Sequence, residues 1–93
     1  MTDPLDEFKE QFAAYEYFNR AVYKLKDEAY EFRILRDTAK DDIAADAFNS
    51  DLKNTEKLLQ QYIAGRDKIM KELDRLQLAV AKTRHRRYRK LGL

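Results

Sequence analysis

Leu58-Leu59-Gln60-Gln61-Tyr62-Ile63-Ala64-Gly65-Arg66-Asp67-Lys68-Ile69-Met70-Lys71-Glu72-Leu73-Asp74-Arg75-Leu76-Gln77-Leu78-Ala79-Val80 is the stretch that decides the fold. Within it Leu59, Tyr62, Ile69, Leu73, Leu76 and Val80 recur at three-, four- and seven-residue steps, so they share one stripe of a helix. Arg66 is the one break in that stripe. Past Val80 the same stripe would present Arg84 and Arg87, and an unpaired charge taken out of water costs several kcal/mol, roughly. The apolar partner of this helix is therefore expected to end near Val80.

The adjoining segment, Lys82-Thr83-Arg84-His85-Arg86-Arg87-Tyr88-Arg89-Lys90, has six Lys or Arg in nine residues and no acid. Continued as a helix it places Lys82, Arg86, Arg89 and Lys90 on one face and Arg84 and Arg87 on another, so it is cationic nearly all round. Such an arm suits phosphates better than base edges, with Tyr88 available to stack. Nucleic acid, an acidic protein or lipid surface, and a solvated tail are the three readings this segment supports.

Working outward, the 93 residues contain 39% charged residues, two Gly and one Pro, a composition of long helices rather than sheet. The chain is all-α and one domain at most. With no Cys there are neither disulfides nor thiolate metal sites. No leader-like segment and no long apolar run stand out, so a cytoplasmic protein is expected and a membrane partner is not. The net charge of +2 conceals a split. Residues 1–53 hold eight Lys/Arg against thirteen Asp/Glu, a balance of −5, and residues 54–93 hold eleven against four, a balance of +7. Either the two halves pack as oppositely charged helices, or the basic end is reserved for a polyanion.

The first helix begins with a capping residue, Asp3, then Pro4 in the first helical position and Asp6 and Glu7 in the first turn. From there Leu5, Phe8, Phe12, Tyr15, Phe18, Val22, Leu25, Ala29, Phe32 and Leu35 recur at three or four residues, which predicts a helix over about 4–39. Tyr17, Tyr23 and Tyr30 lie off this stripe. They either widen the core contact or form a second contact surface, a role that suits a ring with a wet hydroxyl. Residues 40–50 read as a short helical elbow, with Asp42 capping a turn through Ile43 and Phe48, which would cover the end of the hairpin. Asn49-Ser50-Asp51 is a second capping cluster before a helix over about 51–90, whose last part is the basic arm 82–93. Gly65 costs that helix about 1 kcal/mol against Ala. Either a neighbour approaches closely there or the helix divides; the stripe keeps its phase across it, which favours continuity.

Catalytic parts are scarce. One His, one Ser, no Cys and no glycine-rich loop leave neither a nucleophilic triad nor a phosphate cradle. His85 sits among cations that would repel a metal, and the Glu-x-x-His pattern of carboxylate-bridged metal pairs is absent. No catalytic residue, metal site, cofactor or small-molecule substrate is expected.

Particular residues carry two resemblances. Leu78-Ala79-Val80-Ala81-Lys82 resembles part of the all-helical chorismate mutases, small dimeric bundles, but the likeness is confined to these five residues. Lys71-Glu72-Leu73-Asp74-Arg75-Leu76, running on into Arg87-Tyr88-Arg89-Lys90-Leu91, resembles the front of small phage-encoded sigma-like transcription regulators. Those continue into a helix-turn-helix and this chain stops at Leu93, so no DNA-reading helix is implied.

The sequence thus predicts a long antiparallel helical hairpin with a helical elbow. Because two helices bury little surface alone, the hairpin is expected to dimerise into a coiled-coil-like bundle through Phe12, Tyr15, Leu59, Tyr62, Ile69, Leu73, Leu76 and Val80. The expected function is non-enzymatic. It is either a nucleic-acid-associated accessory role, phage-like and using Lys82, Arg84, Arg86, Arg87, Tyr88, Arg89 and Lys90, or an adaptor role exercised through the helical surface.

Overall fold

The computed structural model of the chain describes residues 3–90, with side chains as far as Arg84. It contains two helices, α1 over Pro4–Thr38 and α2 over Asp42–Lys90, packed side by side as a hairpin. The rod they form measures 75 × 21 × 14 Å. At about 1.5 Å per residue, the 49 residues of α2 span the whole length and the 35 of α1 cover roughly two thirds of it.

α1 starts as its sequence requires. The Asp3 carboxylate accepts from the Leu5 N–H at 3.0 Å, and Pro4 occupies a position whose missing N–H would have had no partner. At the other end the Thr38 hydroxyl donates to the Ile34 carbonyl at 2.7 Å, and Ala39 leaves the helix with φ −61° and ψ 138°. α2 is then capped by Asp41, not Asp42: the Asp41 carboxylate accepts from the Ala44 N–H at 2.7 Å and its carbonyl from the Ala45 N–H at 3.1 Å.

The connection is accordingly only residues 39–41, shorter than the expected 40–50, and residues 42–50 are the opening turns of α2. Ala44, Ala45 and Ala47 favour helix, and no Gly or Pro lies between the connection and Gly65. The capping cluster at residues 49–51 is overridden because Asn49 has other employment, accepting from Arg36 Nη1 across the hairpin at 3.2 Å. Straightening this segment also moves Ile43. It lies five residues before half-buried Phe48, about 140° round the helix, and is 84% exposed instead of covering the elbow.

Where the stripes meet, Val22, Leu25 and Ala29 of α1 and Leu52 and Leu76 of α2 are buried, with Thr55 nearly so. The remaining members of both stripes are mostly half-buried. Fully burying a Leu or Val contributes about 1.5–3 kcal/mol, so this is a thin core for its length. Contacts fix the antiparallel register: Arg36 meets Asn49, Arg33 meets Glu56 at 3.1 Å, Asn19 meets Arg66 at 3.2 Å and Glu7 meets Arg75 at 4.0 Å.

α2 runs unbroken through Gly65. The glycine admits a neighbour: a Cβ there would stand 2.6 Å from Cε1 of Phe18. That ring packs at 5.5 Å, centroid to centroid, from Tyr62 and at 5.7 Å from Tyr17.

Candidate nucleic-acid interface

The register determines what lies beside the basic arm. At the open end of the hairpin Asp3, Pro4 and Leu5 surround a shallow hollow together with Val80, Thr83 and Arg84. The apolar partner of α2 thus ends level with Val80, where the charge pattern requires it to end. Thr83 is half-buried and its hydroxyl donates to the Ala79 carbonyl at 2.9 Å, while Lys82 and Arg84 are exposed.

The α2 backbone stays helical through Lys90, so residues 81–90 carry it about 15 Å past the level at which α1 begins. The side chains of His85, Arg86, Arg87, Tyr88, Arg89 and Lys90 lie outside the described residues, as does the rest of the arm, 91–93. Lys82 and Arg84 are therefore the two cations of the expected site that the structure places, one on each side of the half-buried Thr83.

The charge split between the halves is not consumed by pairing along the described seam. Two ion pairs join the helices there and they have opposite polarity: α1 supplies the acid in Glu7–Arg75 and the base in Arg33–Glu56. Both are exposed, where such pairs contribute little. Arg75 bonds more closely within α2, donating to Glu72, and that hydrogen bond holds the Glu72 carboxyl below the ordinary glutamate range and raises the guanidinium in turn.

Arg66, the break in the apolar stripe, is accommodated. Its Nη1 donates to Asn19 Oδ1 at 3.2 Å while its Nε, 3.8 Å from Asp67 Oδ1, is buried without a hydrogen-bond partner. Sequence reasoning missed the Asn19 partner. The signal was one polar residue, Asn19, at the edge of an otherwise aromatic and aliphatic stripe.

Of the residues expected to meet a second copy, Leu76 is buried and Tyr15, Leu59, Tyr62, Ile69, Leu73 and Val80 are half-buried. They line the seam between α1 and α2, so the chain's own first helix occupies much of the surface they offered. Phe12 is different: it is 45% exposed, stacked on Phe8 and tilted against Tyr15, both of its own helix. Tyr17, Tyr23 and Tyr30 are 64%, 60% and 63% exposed, so they do not widen the core contact. Among the described residues no group of three His, Cys, Asp or Glu is placed to hold a metal, and no helix is long and apolar enough to cross a membrane.

No protein-family model, curated protein or solved structure matches the chain.

Proposed function

We propose that this is a non-enzymatic accessory protein of the cytoplasm that attaches to nucleic acid through the basic end of α2, holding backbone phosphates with Lys82, Arg84, Arg86, Arg87, Arg89 and Lys90 and stacking with Tyr88. The observation that supports this reading is the register. α1 begins level with Val80, so the segment richest in cations continues as helix past the acid-rich first half instead of lying along it. A helix carrying six Lys or Arg in nine residues presents charge to a polyanion from several sides and releases its counterions on contact. The exposed tyrosines of α1 favour a second reading, a helical adaptor whose partner is another protein.

Binding to duplex and single-stranded oligonucleotides, followed by anisotropy across a salt series, tests the first reading. If six cations engage phosphates on duplex DNA, log K falls against log salt with a slope of roughly −5, nearly independent of sequence. Replacing Arg84, Arg86, Arg87 and Arg89 by Gln abolishes that binding and leaves helicity unchanged. Absence of binding by the unaltered protein at low salt removes the reading and leaves the adaptor.

A further inference from the structure

α1 carries a second apolar stripe that its own hairpin does not cover. Phe12, Tyr23 and Ile34 are 45%, 60% and 45% exposed. They are spaced by eleven residues and eleven residues. Eleven residues is within about 20° of three whole turns, so the three side chains stand in line along one edge of the rod, roughly 16 Å apart. The spacing is symmetric about Tyr23. A two-fold axis through that residue would set Phe12 of each copy on Ile34 of the other and Tyr23 on its own mate.

We propose that a second copy of this chain docks on this stripe, antiparallel, about such an axis. Charge selects both the occupant and its direction. The elbow half of the rod, residues 27–57, holds nine acids and five bases, a balance of −4, whereas the rest of the chain holds eight acids and fourteen bases, a balance of +6. Each rod is therefore electrically polar from end to end. Antiparallel pairing sets the acidic elbow of one copy beside the basic end of the other. Parallel pairing sets like ends together, within the distance at which salt leaves repulsion unscreened.

The flanks of the stripe agree with this direction. Arg20 is three residues before Tyr23 and Asp27 four after it, both on the same edge, so antiparallel packing brings Arg20 of one copy level with Asp27 of the other, twice by symmetry. Among the described residues Arg20 makes a loose 3.8 Å contact with Glu16, and its side chain is 83% exposed. The thin core supplies the driving force, since a two-helix rod gains most by covering a remaining apolar edge. Six of the fourteen bases outside the elbow half belong to the arm, so the direction of pairing draws on the arm's charge, but the stripe itself lies on α1 and its failure would leave the nucleic-acid reading as it stands.

Sedimentation of the unaltered protein at tens of micromolar should give twice the chain mass, and Tyr23→Glu should give a monomer of unchanged helicity, because the ring is largely outside the hairpin core. The chain has no cysteine, so orientation is read by oxidation. Phe12→Cys and Ile34→Cys, mixed in equal amounts, should form the mixed disulfide far faster than either variant forms its own. A monomer at hundreds of micromolar overturns the proposal and gives the stripe to a different protein. Cross-linking of Phe12→Cys alone as fast as the mixture, or a Tyr23→Glu variant that stays dimeric, also overturns it.

Discussion

The ring of Phe18 occupies the space that a side chain at position 65 would need: Cε1, Cδ1 and Cζ lie 2.6, 3.1 and 3.3 Å from where a Cβ on Gly65 would be. Helix propensity alone favours Gly65→Ala by about 1 kcal/mol. Packing opposes it, because three ring atoms must move together and the ring is held between Tyr17 and Tyr62. Overpacking of this kind costs about 1–3 kcal/mol. Gly65→Ala is expected to destabilise the protein by a net ~1 kcal/mol and so lower its melting temperature, and Phe18→Leu in the same chain to turn the substitution favourable. A thermal melt showing Gly65→Ala alone to be stabilised would mean the ring is free to swing aside.

Asn19 and Arg66 form the polar crossing of the seam. Asn19→Ala removes the carbonyl that receives the guanidinium and adds a second shortfall to the buried Nε, with an expected loss of about 1 kcal/mol. Leucine at both positions should restore stability or exceed it, since a well-packed apolar pair avoids desolvating a charge. A double-mutant cycle in denaturant measures this, and additive effects of the two single Leu substitutions would show that the bond carries no coupling.

Acid should weaken one contact on α2. The Glu72 carboxyl is held low by its hydrogen bond with Arg75. A depressed carboxylate contributes stability that is complete above its unfolded value, about 4.3, and is lost as pH falls through the lower folded one. The contribution is present at neutrality and small, because both side chains are substantially exposed. Glu72→Gln should therefore melt slightly below the unaltered protein at pH near 7, and the gap should narrow in acid as pH falls below the ordinary glutamate range. A gap that widens in acid would contradict the assignment.

The hairpin is legible in the sequence because its evidence is periodic. The stripe through Val22, Leu25 and Ala29 and the one through Leu59 and Leu76 each repeat over many turns, and Asp3-Pro4 marks a start that no other element contests. The departures are local and short. Asn49-Ser50-Asp51 looks like a cap because these residues compete with helical backbone, but a cross-hairpin bond from Arg36 gives Asn49 a better use. Tyr23 and Tyr30 are visibly off the stripe, but period alone does not say whether a ring beside a two-helix seam is covered. That depends on the burial of both helices together. The expected dimer surface draws on the same residues that the hairpin needs, since one apolar stripe serves equally well for an internal partner and an external one.

The connection of three residues has a kinetic consequence. Contacts near the elbow close a short loop, 13 residues for Arg36 with Asn49, whereas Glu7 and Arg75 at the other end enclose a loop of 68. The entropy of closing the longer loop from the unfolded chain exceeds that of the shorter by about 1.5 kcal/mol. Zippering from the elbow outward avoids meeting that difference in one step, so the order of assembly runs along the rod and the order of fraying runs back. The last turns to be clasped, and the first to be released, are those from which the cationic overhang departs.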